Sequence, residues 1–254
     1  MTLRTEGLSV TLGGRRVLAD VTLDLPAGRL AAIVGPNGAG KTSLLRALAG
    51  LVGSRGRIFL GASELSGLGT RARARLVAYL PQGHVAHWPL PARDIVALGR
   101  FPHGGRDPGR LGPGDREAVA QAMRVTGTTA LADRPVTVLS GGERARVALA
   151  RVFAAGAPLV LADEPTAALD PRHQIEVMRA LQARARAGAT VLAVTHDLGL
   201  AARFADEVVV LQDGALVAAG SPDAALADQV LARVFGIEAF RAERDGAPVL
   251  VPWS

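Results

Sequence analysis

The sequence contains no cysteine, a single lysine and a single tyrosine. The absence of cysteine excludes disulfides and thiolate metal sites. Long apolar runs are also missing: the longest, such as 158–162 and 208–211, are far shorter than the roughly 20 residues that span a bilayer as a helix. No apolar stretch of signal-peptide length follows the N-terminus. We therefore expect a soluble chain in a reducing compartment, the cytoplasm.

The charge balance is basic, with a formal net charge of +6. Of the 29 lysine and arginine residues, 28 are arginine, and they are scattered rather than gathered into the short basic runs that mark nucleic-acid-binding patches. We therefore expect a solvated arginine-rich surface and no nucleic-acid partner. Lys41 is the exception, because it is a lysine in a chain whose other cations are all arginine.

The pattern of apolar residues favours an α/β fold. Hydrophobic residues make up 49% of the 254 residues, enough for the core of one large domain or two small ones. Short β-like runs fill the first sixty residues, and helical patterns cover 116–125 and 141–155. Apolar runs at 159–162, 191–194 and 208–211 then alternate with further helices. Continuous apolar strands between helices predict a parallel sheet covered on both faces.

Capping residues mark the bounds of two helices. A helical pattern over 41–48 stops at Gly50, a residue type that often follows the end of a helix. A second helix is expected from Pro171, with Asp170 at its N-cap and Gly188 just past its end.

Residues 84–115 differ from the rest, since they hold most of the histidines and a loop rich in glycine and proline. His84, His87 and His103 are spaced by 3 and 16 residues, which fits no standard set of metal ligands, and the chain has no cysteine to complete one. We therefore favour a docking surface or a plain loop over a metal site here.

A glycine-rich turn joins the strand-like run 30–34 to the helix near Lys41. The turn is Gly-Pro-Asn-Gly-Ala-Gly-Lys-Thr, the P-loop pattern in its required context of strand, turn and helix. Its glycines allow successive N–H groups to point at phosphate oxygens, at the positive end of a helix dipole. Lys41 is expected to reach the β- and γ-phosphates, and the Thr42 hydroxyl to bind Mg²⁺. The candidate ATP-binding residues are Gly35, Pro36, Asn37, Gly38, Ala39, Gly40, Lys41, Thr42 and Ser43.

The apolar run 159–162 ends in two acids, Asp163 and Glu164. In open α/β sheets, ligands bind at the carboxyl ends of the strands. An apolar strand followed by two acids is typical of a Walker B motif. This predicts that Asp163 holds Mg²⁺ and that Glu164 polarises the attacking water.

Ser140 opens the helical pattern within Leu139-Ser-Gly-Gly-Glu143. The spacing of Ser140 and Glu143 is that of a capping box, which closes the first turn of a helix. Local physics alone favours this structural interpretation over a ligand site. The neighbouring motifs favour a functional interpretation instead. A P-loop precedes the segment, an acidic strand end follows some 20 residues later, and His196 follows some 30 residues beyond that.

In this order the motifs resemble those of ABC ATPases, over essentially the whole chain. The resemblance implies a P-loop NTPase (RecA-like) core with a parallel sheet, an N-terminal antiparallel β subdomain and an inserted helical subdomain. It divides the single domain 1–254 into a nucleotide-binding core, residues 1–83 and 157–254, and a helical subdomain, residues 84–156.

Further roles come from the resemblance alone. Gln82 resembles the Q-loop glutamine, which senses Mg²⁺ and links the nucleotide site to the membrane partner. Asp170 resembles the D-loop aspartate, which crosses between subunits, and this role is compatible with its role as a helix cap. His196 matches the switch histidine that contacts the γ-phosphate. With ATP and Mg²⁺ as cofactors, the catalytic candidates are Glu164, His196 and Gln82, and the Mg²⁺ candidates are Thr42, Gln82 and Asp163.

The resemblance also implies a homodimer. Two copies pack head to tail, and each ATP lies between the P-loop of one copy and the segment Ser140, Gly141, Gly142 and Glu143 of the other. The helix N-terminus at Ser140 offers unpaired N–H groups and a positive dipole end to the γ-phosphate, and the two glycines allow close approach. Hydrolysis then depends on closure of the dimer.

Residues 94–103 are similar to a segment of importer ATPases for iron–siderophore complexes, haem and vitamin B12, and 167–173 has counterparts there too. This implies a peripheral subunit on the cytoplasmic side of the membrane, working with transmembrane permease subunits and a substrate-binding protein. We expect residues 84–106 to contact the permease through Trp88 and Phe101, residue types enriched in interfaces. The alternatives left open are the ATPase of another ABC importer or exporter, and a non-transport ABC ATPase.

Two positions depart from the family pattern. Leu12 stands where an aromatic residue commonly stacks on adenine, and Ala145 stands where glutamine is frequent. The first predicts weak selection of the base, and the second fewer polar contacts from the helix that follows Ser140. Neither change touches the phosphate or Mg²⁺ chemistry.

Overall fold

The structure, a computed structural model, describes residues 1–83, 89–105 and 107–253. The predictions for His84, His87, Trp88 and the end of the 84–106 segment at Arg106 lie outside these residues. The strands are β1 (Leu3–Leu12), β2 (Arg15–Leu25), β3 (Leu30–Val34), β4 (Arg55–Leu60), β5 (Ser63–Glu64), β6 (Val77–Leu80), β7 (Leu159–Asp163), β8 (Thr190–Val194), β9 (Glu207–Gln212), β10 (Ala215–Gly220), β11 (Glu238–Arg244) and β12 (Ala247–Trp253). The helices are α1 (Lys41–Ala49), α2 (Thr70–Leu76), α3 (Ala92–Ala97), α4 (Pro113–Val125), α5 (Gly141–Ala154), α6 (Pro171–Arg186), α7 (Leu198–Phe204), α8 (Pro222–Ala225) and α9 (Asp228–Phe235).

A six-stranded sheet with the order β10-β9-β3-β8-β7-β6 forms the centre of the fold. Its strands from β9 to β6 pair in parallel, and β10 pairs antiparallel with β9 at the edge. Every residue of β3, β7 and β8 is buried, which explains why these strands are unbroken apolar runs in the sequence. The predicted parallel sheet is confirmed.

The two faces of this sheet carry different layers, because side chains alternate along a strand. Leu161 and Leu192 pack with α1 and with an antiparallel sheet of order β2-β1-β4-β5. Val160 and Ala193 point to the other face and pack with α5 and α6. The antiparallel β layer expected near the N-terminus is thus present.

The helices between β6 and β7 pack on one another, with α5 against both α3 and α4. Helix α4 begins at Pro113, three residues before the pattern predicted from the sequence, because Pro113 occupies the first turn directly after Gly112. That first turn is polar, so the apolar periodicity carries no signal for it.

Capping residues mark the end of α1 and the start of α6, the two helices next to the candidate site. Gly50 caps the C-terminus of α1 in the left-handed region, with φ of 73°. Helix α6 begins after Asp170, whose side chain accepts a hydrogen bond from the His173 N–H at 3.0 Å. Both caps were predicted from residue type alone.

The chain ends in a hairpin of β11 and β12, which packs through Leu250 against the layer that contains α7 and α9. Across residues 1–83, 89–105 and 107–253, we find no helix both long enough and apolar enough to cross a bilayer.

Candidate nucleotide site

The P-loop lies between the carboxyl end of β3 and α1, at the centre of the sheet. A Cβ on Gly35 would come within 2.1 Å of the Leu211 carbonyl oxygen in β9, and one on Gly40 within 2.7 Å of the Val17 carbonyl oxygen in β2. Gly40 also has φ of 96°, in the left-handed region. The loop is therefore packed closely against β9 and β2, and there is no room for a side chain at either glycine.

Lys41 begins α1 and is almost completely buried, with 6% of its surface exposed. Its Nζ donates to the carbonyl oxygens of Gly35 at 2.7 Å and Pro36 at 2.9 Å. Burial lowers the pKa of Lys41, while the carboxylates of Glu164 and Asp163 act in the opposite direction. The ammonium thus lies within the P-loop, close to both acids at the end of β7.

Asp163 ends β7 and is fully buried. Its Oδ1 accepts from the Thr42 hydroxyl at 3.1 Å, and its Oδ2 from the Tyr79 hydroxyl at 3.1 Å. Burial raises the pKa of this carboxyl, although the two hydroxyls oppose the shift by stabilising its charged form. The structure therefore places Thr42 and Asp163, the two residues expected to bind Mg²⁺, in direct contact.

Tyr79 is a residue of the site that the sequence analysis missed. It lies in β6, directly opposite Leu161 of the neighbouring β7, so its side chain reaches the acid at the end of that strand. Burial and the nearby Asp163 raise the pKa of its hydroxyl, which therefore keeps its proton and donates to the carboxylate. The available signal was its uniqueness, since Tyr79 is the single tyrosine of the chain.

Glu164 lies between two other predicted residues. Its Oε2 accepts from Gln82 Nε2 at 2.7 Å, and its Oε1 lies 2.7 Å from His196 Nε2. The backbone of Glu164 has φ of 50°, an uncommon conformation for a non-glycine residue. The turn after β7 thus directs this carboxylate between the ends of β6 and β8, and the three catalytic candidates form one hydrogen-bonded group.

A cavity of about 420 Å³ opens above the P-loop. It is bordered by Glu164 and His196 on one side, and by Arg15, Arg16 and Val17 at the start of β2 on another. Its other lining residues are Asn37, Gly38, Ala39, Gly40, Lys41, Thr42, Ser43, Asp213 and Gly214. A P-loop with an acid and a histidine at its rim is an arrangement that suits a nucleoside triphosphate.

The segment from Ser140 to Glu143 does not line this cavity. Instead it forms the capping box: Ser140 Oγ accepts from the Glu143 N–H at 3.2 Å, and the Ser140 N–H donates to Glu143 Oε2 at 2.8 Å. The bond from the Ser140 N–H lowers the pKa of Glu143. The predicted capping box is confirmed.

The residues at the P-loop fit Mg²⁺. Thr42 and Asp163 present a hydroxyl and a carboxylate oxygen within 3.1 Å of each other, and oxygen is the ligand type that Mg²⁺ prefers. The described residues contain no group of three or more His, Cys, Asp or Glu side chains able to hold a metal by themselves.

Comparisons with known proteins agree with this site. Residues 18–167 match the ABC transporter family model. The chain is 44% identical over 255 residues to the hemin import ATP-binding protein of Rhodococcus jostii, covering 99% of this chain and 86% of that protein. Its structure resembles that of an ABC transporter assigned to the metal-chelate type in an inward-facing conformation, with a TM-score of 0.84 and 27% identity over 100% of this chain and 98% of that one. It also resembles an ATP-binding cassette solved as a dimer in a post-hydrolysis state with ADP and phosphate, with a TM-score of 0.73 and 26% identity over 87% of this chain and 98% of that one. The chain therefore belongs to the ABC transporter family and is an ATP-binding, ATP-hydrolysing subunit of that family.

Proposed function

We propose that this subunit drives import of an iron chelate, with haem as the first candidate, from the cytoplasmic face of the membrane. It works there as a homodimer with transmembrane permease subunits and a substrate-binding protein. The observation that carries the proposal is the position of Glu164, held by Gln82 and His196 at the rim of the P-loop cavity. The similarity to a hemin import ATP-binding protein supports the cargo.

Glu164 is the general base of this proposal. Each of its carboxylate oxygens accepts one hydrogen bond from the protein, which leaves a lone pair on each oxygen for the attacking water. Gln82 and His196 keep the carboxylate in one orientation, so that the proton of the water has a defined acceptor. Thr42 and Asp163, with Gln82 beside them, would hold Mg²⁺, and the ion would supply positive charge to neutralise the charge that develops on the phosphates.

The positions of the two halves of the site in the fold support the head-to-tail dimer. The P-loop cavity of one copy is open at its rim, and the segment from Ser140 to Glu143 lies outside it, at the N-terminus of α5. The N–H groups of a helix N-terminus bind anions, so this segment suits the γ-phosphate of ATP held by a second copy. The dimeric cassette with ADP and phosphate supports the same arrangement.

Replacement of Glu164 by Gln tests this mechanism. The amide keeps the shape but cannot accept a proton, so hydrolysis should fall about 10²–10⁴-fold while an ATP-bound dimer accumulates in size-exclusion chromatography. Glu117→Gln on α4, where the side chain is 70% exposed, is the matched control and should behave as wild type. Near-normal turnover of Glu164→Gln would contradict the role of Glu164.

The cargo is tested with the complete transporter in proteoliposomes. ATP-dependent uptake of haem is expected, with little uptake of a ferric siderophore or cobalamin. Preferential uptake of either of those compounds would identify it, rather than haem, as the cargo. Movement of substrate in the opposite direction would identify an exporter.

We further propose that residues 84–106, at the start of the helical subdomain 84–156, form the permease-binding surface. Phe101 is 51% exposed and lies in a short helical turn at 98–103, which is hydrogen-bonded to α2. Arg71 Nε and Arg75 Nε both donate to the Pro102 carbonyl oxygen, at 3.2 Å and 2.8 Å. His103 Nε2 also bonds the Ala155 carbonyl oxygen at 2.8 Å. An exposed aromatic ring on a braced turn suits a protein interface.

Phe101→Ala combined with Trp88→Ala tests this surface. Uptake should be lost while ATP binding by the isolated subunit is retained, because the P-loop lies outside residues 84–106. Phe240→Ala is a matched control, since this residue of the C-terminal hairpin is 57% exposed and lies outside the proposed surface. Normal uptake by the double variant would remove the surface from consideration.

A further inference from the structure

The side chain of His173, in the first turn of α6, lies directly against Gly142, in the first turn of α5. A Cβ on Gly142 would come within 2.5–2.7 Å of three atoms of the imidazole ring. Gly142 is not among the residues with positive φ, so lack of space, rather than backbone conformation, requires glycine here. At the neighbouring Gly141 a Cβ would meet nothing within 4 Å. Of the two glycines in this segment, only Gly142 is therefore required by contact with another part of the same chain.

His173 is held in place by Asp170 through two hydrogen bonds. The His173 backbone N–H donates to Asp170 Oδ1 at 3.0 Å, and His173 Nδ1 lies 2.7 Å from Asp170 Oδ2. The first of these bonds, aided by the second, lowers the pKa of Asp170, so the carboxylate is ionised and acts only as an acceptor. The imidazole proton therefore lies on Nδ1. The ring cannot rotate away from Gly142 without breaking the bond to Asp170.

A second bridge joins the same two helices one turn further along. Glu176 of α6 binds Arg146 of α5 in an ion pair, and it also binds Arg172 at 3.2 Å. Only 14% of the Arg146 side chain is exposed, so this pair is better shielded from solvent than an ordinary surface ion pair. Together with the contact between His173 and Gly142, it fixes the first turns of α5 and α6 relative to each other.

Helix α6 is also tied to the turn that carries Glu164. Gln174 Nε2 donates to the Thr166 carbonyl oxygen at 3.5 Å, and the Glu164 carbonyl oxygen accepts from the Ala167 N–H at 3.1 Å. The chain between Glu164 and Asp170 is therefore a compact turn attached to the start of α6. Movement of α5 at Gly142 would be transmitted to this turn through the first turn of α6.

We propose that His173 is a positioning residue that couples the segment from Ser140 to Glu143 to Glu164 of the same copy. The inference rests on the head-to-tail dimer proposed above. In that dimer, residues 140–143 contact the ATP of the partner copy, whereas Glu164 contacts the ATP of its own copy. The imidazole against Gly142 then links the two ATP sites, so that occupation of one site sets the geometry of the other.

The test compares His173→Ala, His173→Asn and a control variant in the full-length protein. Binding of ATP to the monomer should be unchanged in all three, because the P-loop lies elsewhere. In His173→Ala we expect kcat to fall roughly 10- to 100-fold, the scale for misplaced groups in an active site, with loss of cooperativity in ATP and little change in KM. Asparagine retains a donor to Asp170 but no ring, so its kcat should lie between those of wild type and His173→Ala. Arg179→Ala, an exposed position further along α6, should match wild type.

A double-mutant cycle with Gly142→Ala separates this role from a purely structural one. Alone, the added methyl group displaces the imidazole and should lower kcat about as much as His173→Ala does. In the His173→Ala background the methyl has room, so the further loss should be small. An equal loss from Gly142→Ala in both backgrounds would show that the glycine is required by the phosphate of the partner's ATP, and it would overturn the inference.

Failure of this inference is distinguishable from failure of the proposed function. A wild-type protein that hydrolyses ATP without ever forming an ATP-dependent dimer would contradict the dimer itself. A wild-type protein that dimerises and hydrolyses ATP cooperatively, with wild-type kcat and cooperativity retained in His173→Ala or His173→Asn, would contradict only the role of His173.

Discussion

Removal of the Tyr79 hydroxyl tests how the buried carboxylate of Asp163 is stabilised. Tyr79→Phe keeps the ring in β6 and deletes only the donor that lies 3.1 Å from Asp163 Oδ2. A hydrogen bond to a charged group contributes about 1.5–3 kcal/mol to stability. Since Tyr79 is half-buried, we expect the lower part of that range, about 1.5–2 kcal/mol. For a protein of this size, each kcal/mol lowers the melting temperature by about 2–4 °C, so the expected loss is about 3–8 °C.

The dependence of this loss on pH follows from the pKa of Asp163. Burial raises that pKa above its value in the unfolded chain, so protonation in the folded state occurs at a higher pH than for an ordinary aspartate. Above the folded-state pKa the carboxylate is ionised and the full penalty of Tyr79→Phe is present. As pH falls through it, the acceptor becomes neutral and the penalty should shrink to that of a neutral hydrogen bond, about 0.5–1.5 kcal/mol.

Asp163→Asn supplies the matched background. When folding raises the pKa of a carboxyl, the folded protein is less stable with that carboxyl ionised than with it protonated. The contribution of the group to the free energy of unfolding is therefore present at low pH and is lost as pH rises through the folded-state pKa. Asp163→Asn should therefore raise the melting temperature of the nucleotide-free protein at neutral pH while abolishing Mg²⁺-dependent hydrolysis. In this background Tyr79→Phe should cost less than in wild type. Calorimetry of wild type, the two single variants and the double variant tests this. If Tyr79→Phe lowers the melting temperature equally in the wild-type and the Asp163→Asn backgrounds, the charged hydrogen bond is refuted.

Other predictions concern the nucleotide more directly. Lys41→Arg should weaken ATP binding about 10- to 100-fold, the cost of losing a charged contact. The reason is that the planar guanidinium does not fit the buried position of the ammonium. Wild-type affinity in calorimetry would contradict this prediction. Ser140→Arg should abolish hydrolysis without changing ATP binding by the monomer, and a monomer that no longer binds ATP would argue against contact across a dimer. GTP should support hydrolysis within about tenfold of ATP, and Leu12→Tyr should tighten ATP binding about fivefold, because base–aromatic stacking contributes about 1–3 kcal/mol and leucine supplies part of that contact. Strong ATP preference, unchanged by Leu12→Tyr, would instead assign the base contact to Arg15 or Arg16, which line the cavity.

The sequence alone determined the central sheet and the order of its motifs. Unbroken apolar runs ending in Ala162 and Val194 predict parallel strands, because only strands covered on both faces lack a polar side. The P-loop could be predicted for a similar local reason, since its glycines, Lys41 and Thr42 are adjacent in the chain. Caps such as Asp170 are equally local, because the residue bonds to a backbone group three positions away.

Contacts between distant parts of the chain were decided only by the tertiary structure. Tyr79 and Asp163 are 84 positions apart, and their contact depends on the pairing of β6 with β7, which no local pattern specifies. Gly142 likewise looks like any glycine in a helix N-terminus until α6 places the His173 ring against it. Helix and strand patterns arise from neighbours within a few residues, whereas packing depends on which surfaces meet after the chain has folded. The physical reason is that side-chain periodicity records which face is buried, but not what buries it.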